Sequence, residues 1–322
     1  MAAEPFDKLM LTMRSFQESR ALLTAVELDV FTAVGAGARA EEVASKLDCD
    51  ARATEMLLNA LVSLGALEKR DGVFANTVET ARFLVAGSPD DSRMAIMHTV
   101  HLWDRWSTLT ECVRRGGRVM EGGSDEQWTE AFIAAMHRRA LGNAEQVASV
   151  VGVEKVRRML DVGGGSGAYS IAFARANPEL RAEILDLADV VRIAERHIAA
   201  AGLIKRVTAR VGDLRRDELG SGYDLVLLSA ICHMLGEEEN RDLFARCYRA
   251  LAPGGRLVVR DFILEEDKTE PRWAALFSLN MLVGTERGAS YSEGEYTRWL
   301  LEAGFSSVER LEADRDLMVA RR

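Results

Sequence analysis

Two observations place this chain in the α/β class. From about residue 150 onward, apolar strand-like runs alternate with amphipathic helical stretches, and the first of those runs leads directly into a cluster of glycines. A third observation divides the chain: its first hundred residues read as helices followed by one short hairpin, without that alternation. The expected architecture is a smaller helical domain followed by a larger one built on a mostly parallel sheet.

In the helical part, apolar residues recur at helical spacing over 16–31, a short helix is expected over 40–47, and another over 53–64 stops at Gly65. Residues 67–74 read as a hairpin turning at Asp71-Gly72, residue types that tolerate the positive φ such turns demand. Helices followed by a hairpin suggest a winged helix, a module that often binds DNA. The helix that would enter the groove, 52–61, offers Arg52 and Glu55 on a mainly apolar surface, whereas phosphate contact and base reading favour Lys, Arg, Asn and Gln. The other reading is burial of these apolar helices against a second copy, so a homodimer without a nucleic-acid partner is expected.

Between the two parts, residues 94–115 carry His98, His101, Trp103 and Trp106, and 132–137 continues a helix through Met136 and His137. These residues are the candidate wall of a substrate pocket. His98 and His101, three apart, share a helix face, and with His137 and His233 they are the right type to hold a metal. No cysteine or paired carboxylate completes a ligand motif, so no metal is expected. Core packing is the alternative for each aromatic.

The larger part begins with Leu160-Asp161-Val162-Gly163-Gly164-Gly165-Ser166-Gly167, then a helical pattern over 168–177. A strand, a tight glycine turn and a helix form a loop that a nucleoside can approach closely. A second strand, 182–186, ends in Asp186, about where nucleotide-binding folds place a carboxylate on a ribose diol. The third, 207–211, ends in Gly212-Asp213-Leu214, which sets a carboxylate and an apolar side chain where an adenine could sit. The fourth, 223–229, runs from Tyr223 to Ser229 and on to Cys232-His233. A helix then leads through Pro253-Gly254-Gly255 to a fifth strand, 256–261. The loop lacks the full G-x-G-x-x-G spacing of a pyrophosphate cradle, since Ala168 stands at the last position. Carboxylates after successive strands instead suit a cationic ligand without phosphate.

Through Asp161 to Gly167, Asp186, Gly212-Asp213 and Pro253-Gly254-Gly255, in that order, the chain resembles the class I S-adenosylmethionine-dependent methyltransferases. Through Asp186-Leu187, Ile231-Cys232-His233, Glu237-Glu238-Glu239, Asn280-Met281-Leu282 and Ala303-Gly304-Phe305 it resembles the two-domain small-molecule O-methyltransferases of the caffeate, hydroxyindole and bacterial polyketide type, over nearly its whole length. The resemblance implies a Rossmann-like domain with a mostly parallel seven-stranded sheet at 150–322, a winged-helix dimerisation domain at 1–93, and linking helices forming the pocket wall at 94–149. It implies S-adenosylmethionine as cofactor and S-adenosylhomocysteine as product, held by Asp161, Gly163, Gly164, Gly165, Asp186, Leu187, Gly212, Asp213, Leu214 and Ser229. It further implies that His98, His101, Trp103, Trp106, Met136, His137, Asn280 and Met281 face the substrate, with core packing as the alternative for the last two. The closing elements are a helix over 292–301, with Ser292 and Glu295 in a capping box, and a hairpin from 308–311 and 317–320.

The resemblance places the general base at His233. An ordinary phenol has a pKa near 10 and imidazole near 6.5, so a positioned histidine can accept the proton as the oxygen attacks an activated methyl. The usual Asp-Trp after this histidine is replaced by Met234-Leu235, and Ser229 stands where plant members often carry lysine. The carboxylate that brackets the histidine has no clear counterpart in 284–291. Glu286 is the expected orienter, Asp104 the alternative. A changed reaction on the same fold is the alternative function: N- or C-methylation, decarboxylation, hydroxylation or cyclisation. A DNA-binding ligand sensor is the third.

The 322 residues can hold two domains, and a net charge of −9 disfavours nonspecific attraction to nucleic acid or anionic membrane. No apolar run approaches the roughly 20 residues of a membrane span, and Met1 to Phe6 show no leader pattern. Cys49, Cys112, Cys232 and Cys247 fit neither a metal motif nor a disulfide framework, and Cys232 reads as a small apolar filler beside His233. A cytoplasmic enzyme is expected.

Overall fold

The computed structural model describes residues 5–121 and 126–322, so the reading of the first four residues lies outside the described part. The chain divides into two compact units, the first running to Trp103 and including Glu130–Ala135, the second comprising Asp104–Thr129 and everything from Met136 onward.

The first unit contains helices α1 (Pro5–Arg14), α2 (Phe16–Glu27), α3 (Val30–Val34), α4 (Ala40–Leu47) and α5 (Ala51–Ser63). Strands β1 (Leu67–Arg70) and β2 (Val73–Asn76), helix α6 (Val78–Phe83) and the first part of α7 (Arg93–Ser107) complete it. The single helix expected over 16–31 is two, because Asp29 adopts φ 59° between α2 and α3. Its carboxylate accepts from Thr32 Oγ1 at 2.6 Å and pairs with Arg93 at 2.8 Å, which holds the break. The hairpin turns at Asp71 and Gly72, both at positive φ. Val30, Phe31, Val43, Leu58, Leu61 and Phe74 are fully buried at its centre, each such side chain contributing about 1.5–3 kcal/mol.

The second unit continues through α8 (Leu109–Arg115), α9 (Glu126–Leu141), which crosses the division, and α10 (Ala144–Val151). It then alternates β3 (Arg158–Val162), α11 (Ala168–Ala176), β4 (Arg181–Asp186), α12 (Ala188–Ala200), β5 (Val207–Val211) and β6 (Tyr223–Ser229). After a short 3₁₀ turn at Cys232–Met234 come α13 (Glu237–Ala250), β7 (Leu251–Arg260), α14 (Arg272–Gly284), α15 (Glu293–Glu302), β8 (Ser307–Arg310) and β9 (Leu317–Arg321). The seven strands of the sheet run β5-β4-β3-β6-β7-β9-β8, parallel except that β9 is antiparallel to both of its neighbours. Two cores cover its faces. One is centred on Met159, Phe173, Ile184 and Leu227, the other on Leu160, Val226, Phe244, Tyr296 and Trp299. Strands buried on both faces read as continuous apolar runs, as 223–229 does. The capping box of α15 is formed, with Ser292 N–H donating to Glu295 at 2.8 Å.

The strand order reverses direction between β3 and β6, the switch point at whose carboxyl ends open α/β sheets bind ligands.

Candidate active site

From β3 the chain turns through Gly163, Gly165 and Gly167 at φ 68°, 57° and 76°, a region that side chains disfavour. A Cβ on Gly163 would lie 2.3 Å from Ile231 Cδ1 and 3.3 Å from Leu214 Cδ2, so those side chains close directly on the glycine backbone. On Gly164 it would meet Asp161 Cγ at 2.7 Å, which puts the Asp161 carboxylate immediately beneath the loop. Asp161 is buried; its Oδ2 accepts from Ser170 at 2.7 Å while Oδ1 has no partner among the described residues. Burial pushes this carboxyl up to about 7, the Ser170 hydrogen bond opposing.

Asp186, at the end of β4, ties the next strand to the same loop. Its Oδ2 accepts from the Gly165 N–H and its Oδ1 from the Leu187 N–H, both at 2.8 Å. Each carboxylate oxygen keeps a further acceptor direction, which suits a vicinal diol. Leu187 is 57% exposed, and the Gly212 N–H donates to the Asp186 carbonyl. Asp213 accepts from the Arg215 N–H and from Arg216 Nε, each at 2.9 Å. Loop, diol acceptor, flanking Leu214 and an orphaned acid oxygen fit a cationic nucleoside such as S-adenosylmethionine.

His233 follows β6 in the 3₁₀ turn and is buried. Its Nδ1 lies 2.6 Å from Asp261 Oδ1, and its backbone N–H donates to Asp261 Oδ2 at 3.1 Å. Asp261 sits just past β7 and also accepts from the Phe262 N–H at 2.8 Å. Burial raises the Asp261 carboxyl, but the His233 charge and these hydrogen bonds outweigh it and hold the group below its ordinary value. An ionised Asp261 accepts a hydrogen bond from Nδ1–H, the tautomer that leaves Nε2 with the lone pair. The imidazole ring packs edge-on to Phe277 at 4.9 Å and against Phe262 at 5.1 Å, and Phe262 meets Trp273 at 5.1 Å.

The expected orienter is therefore corrected. Glu286 pairs with Arg118 at 2.9 Å and its side chain is 76% exposed, so solvent and Arg118 hold it rather than His233. Asp104, the alternative, is exposed as well. Asp261 supplies the carboxylate. Its only signal in the sequence is an acid ending the strand that neighbours the one leading to His233.

Among the residues expected at the substrate, Trp106 donates its indole N–H to Asn280 Oδ1 at 2.9 Å, and Met281 is buried one position further along α14. Met136 is half-buried on α9. His137 has a different neighbour: its Nδ1 lies 2.8 Å from Ser166 Oγ in the glycine loop, and its ring stacks on His197 at 4.0 Å. Burial and the His197 charge push His137 down to about 4. His98, His101 and Trp103 belong to the first unit, where His98 is edge-on to Phe132 at 5.2 Å and Arg20 lies over Trp103 at 5.5 Å. Ser229 ends β6 opposite Arg260. Cys232 is buried, and burial raises its thiol well above the ordinary range, in keeping with a filler role.

Residues 113–306 match the model of an O-methyltransferase domain, and residues 10–87 match the model of an O-methyltransferase dimerisation domain. The chain is 38% identical to a 3-hydroxy-5-methyl-1-naphthoate 3-O-methyltransferase of Streptomyces sahachiroi, over 90% of this chain and 87% of that one. It is 31% identical to a tetracenomycin polyketide synthesis 8-O-methyl transferase of Streptomyces glaucescens, over 94% and 92%. Among solved structures, PigF with SAH superposes with a TM-score of 0.91 at 27% identity, covering 99% of both chains.

Proposed function

This chain belongs to the O-methyltransferases that join a dimerisation domain to a methyltransferase domain, and from that premise we propose that it methylates a hydroxyl of an aromatic or polyketide-like small molecule, with His233 as general base. S-adenosylmethionine supplies the methyl group in an activated, sulfonium-bound form when it occupies the glycine loop. The observation that carries the reading is the buried His233–Asp261 pair: Asp261 accepts a hydrogen bond from Nδ1–H, so Nε2 is the atom that accepts the proton of an acceptor hydroxyl. Phe262 and Phe277 pack against the imidazole ring.

The named substrates of the two Streptomyces relatives, a hydroxynaphthoate and a tetracenomycin-type polyketide, support an acceptor with fused aromatic rings. Asp161, Gly163, Gly164, Gly165, Asp186, Leu187, Gly212, Asp213, Leu214 and Ser229 are the proposed cofactor residues. A homodimer through the first unit accords with the exposed apolar Phe6, Leu9, Leu11, Met13 and Phe16. Four unpaired cysteines suit a reducing compartment such as the cytoplasm.

The test is S-adenosylhomocysteine formation with hydroxynaphthoates and polyketide phenols in chelator-treated buffer, wild type against His233→Ala. A loss of roughly 100-fold to 10,000-fold is expected. Turnover that survives the substitution removes His233 from the role.

A further inference from the structure

The turn that carries His233 is held by two buried side chains that lie outside the proposed chemistry. The chain leaves β6 through Ala230 at φ 58°, a conformation disfavoured by a Cβ that persists only where the surroundings impose it. Asn240 of α13 is fully buried. Its Nδ2 donates to the Cys232 carbonyl at 2.9 Å and to the Leu235 carbonyl at 3.2 Å, so the two bonds bracket His233 in the chain. Both neighbours are carbonyl oxygens, which settles that the amide nitrogen is the end facing them. Tyr291, between α14 and α15, donates its hydroxyl to the same Leu235 carbonyl at 2.5 Å. Its own carbonyl accepts from the Leu264 N–H at 2.9 Å, on the segment that leads away from Asp261. Tyr291 thus ties together the two segments that carry the His233–Asp261 pair.

Hydrogen-bond satisfaction does not account for Asn240. The Cys232 carbonyl already accepts from the Leu235 N–H at 3.2 Å, and the Leu235 carbonyl from Tyr291. Asn240 Oδ1 is buried without a partner among the described residues, which costs stability. A buried amide that leaves its own oxygen unmet, and adds second bonds to carbonyls that have partners, fixes the distance between those carbonyls.

We propose that Asn240 and Tyr291 are positioning residues for His233, holding the 232–235 turn so that Nδ1 stays on Asp261. The catalytic consequence rests on the proposed function, in which His233 is the base; the clamp on the ring does not. A misplacement of about 1 Å in a reacting group can cost about 100-fold in rate.

The test is nuclear magnetic resonance of the full chain labelled in its histidine nitrogens, of which five residues give signals, with His233 assigned by its loss in His233→Ala. A ring held by Asp261 has one protonated and one bare nitrogen, and a ring released from it exchanges between tautomers. Asn240→Leu keeps the branching of the side chain and removes both donors; Tyr291→Phe removes only the hydroxyl. Well above the ordinary imidazole pKa of about 6.5, the two His233 nitrogen shifts should move toward one another in each variant. In parallel, kcat should fall about tenfold to 100-fold with KM within about threefold. A merely structural role lowers the melting temperature and leaves the nitrogen shifts in place, and wild-type shifts in a variant remove that residue from the role. A wild-type ring that is already a mixture of tautomers, or shifts that move while kcat is unchanged, overturns the proposal. If Asn240→Leu fails to fold, Asn240→Ala, which overpacks nothing, replaces it. Turnover that survives His233→Ala defeats the proposed function instead, and the nitrogen shifts then decide by themselves whether Asn240 and Tyr291 set the ring.

Discussion

The Nδ1 of His233 and the Oδ1 of Asp261 lie 2.6 Å apart in a buried pocket, and Asp261 is held twice more by backbone N–H groups of His233 and Phe262. The pair is rigid because its members end neighbouring parallel strands: β6 leads to His233 and β7 to Asp261, in register from Leu225 with Arg256 to Ser229 with Arg260. The position of the proposed base is set by the sheet, and its tautomer by the acid behind it.

Replacing Asp261 with Asn removes the charge that fixes the tautomer while preserving shape. The turnover rate should fall by roughly 100-fold to 10,000-fold with S-adenosylhomocysteine affinity within about threefold. Glu286→Gln should leave turnover within about threefold, because Glu286 faces Arg118 and solvent. Steady-state kinetics on both variants checks the assignment, and equal losses would contradict it.

Asp161 makes a prediction about pH. Its carboxyl is raised to about 7 by burial, so the folded state holds this proton more tightly than the unfolded chain does. The resulting stability is full below about pH 4 and is lost as the pH climbs through about 7. Asp161→Asn cannot ionise, and its melting temperature relative to wild type should be unchanged or lower at pH 4.5 and higher at pH 8.5, by about 1–3 kcal/mol of stability. Calorimetric melts at the two pH values test it; a difference independent of pH would reject it.

Strand and helix order was legible because buried parallel strands are unbroken apolar runs, and the loop was legible because positive φ at Gly163, Gly165 and Gly167 demands glycine. Asp261 was not read as a site residue. It follows ten residues of strand, and only the pairing of β7 with β6 brings it to His233. The helix break at Asp29 was hidden for a similar reason, since its partner Arg93 lies 64 residues away.

The Ser166 contact ties His137 to the glycine loop. Its pKa is lowered to about 4, so the folded state favours the neutral ring. The stability this lends is present above about pH 6.5 and lost as pH falls toward 4. His137→Gln should flatten the acid side of the stability profile between about pH 4 and 6.5 and weaken S-adenosylhomocysteine binding by about threefold to tenfold at pH 7.5. An unchanged acid limb would show that His137 does not titrate with folding.

Gly163 tests the close packing of side chains on the glycine loop most directly. An alanine there would meet Ile231 Cδ1 at 2.3 Å and would hold φ 68°, so both packing and backbone resist it. Overpacking of this kind costs about 1–3 kcal/mol, with about 1 kcal/mol more for the left-handed backbone. Ile231→Val removes the clashing Cδ1 but leaves Cγ1 at 3.1 Å and Leu214 Cδ2 at 3.3 Å, so the double variant should recover most of the packing part and not the backbone part. Denaturant unfolding of Gly163→Ala with and without Ile231→Val measures the difference. If the second substitution recovers nothing, Ile231 does not close on the loop in solution.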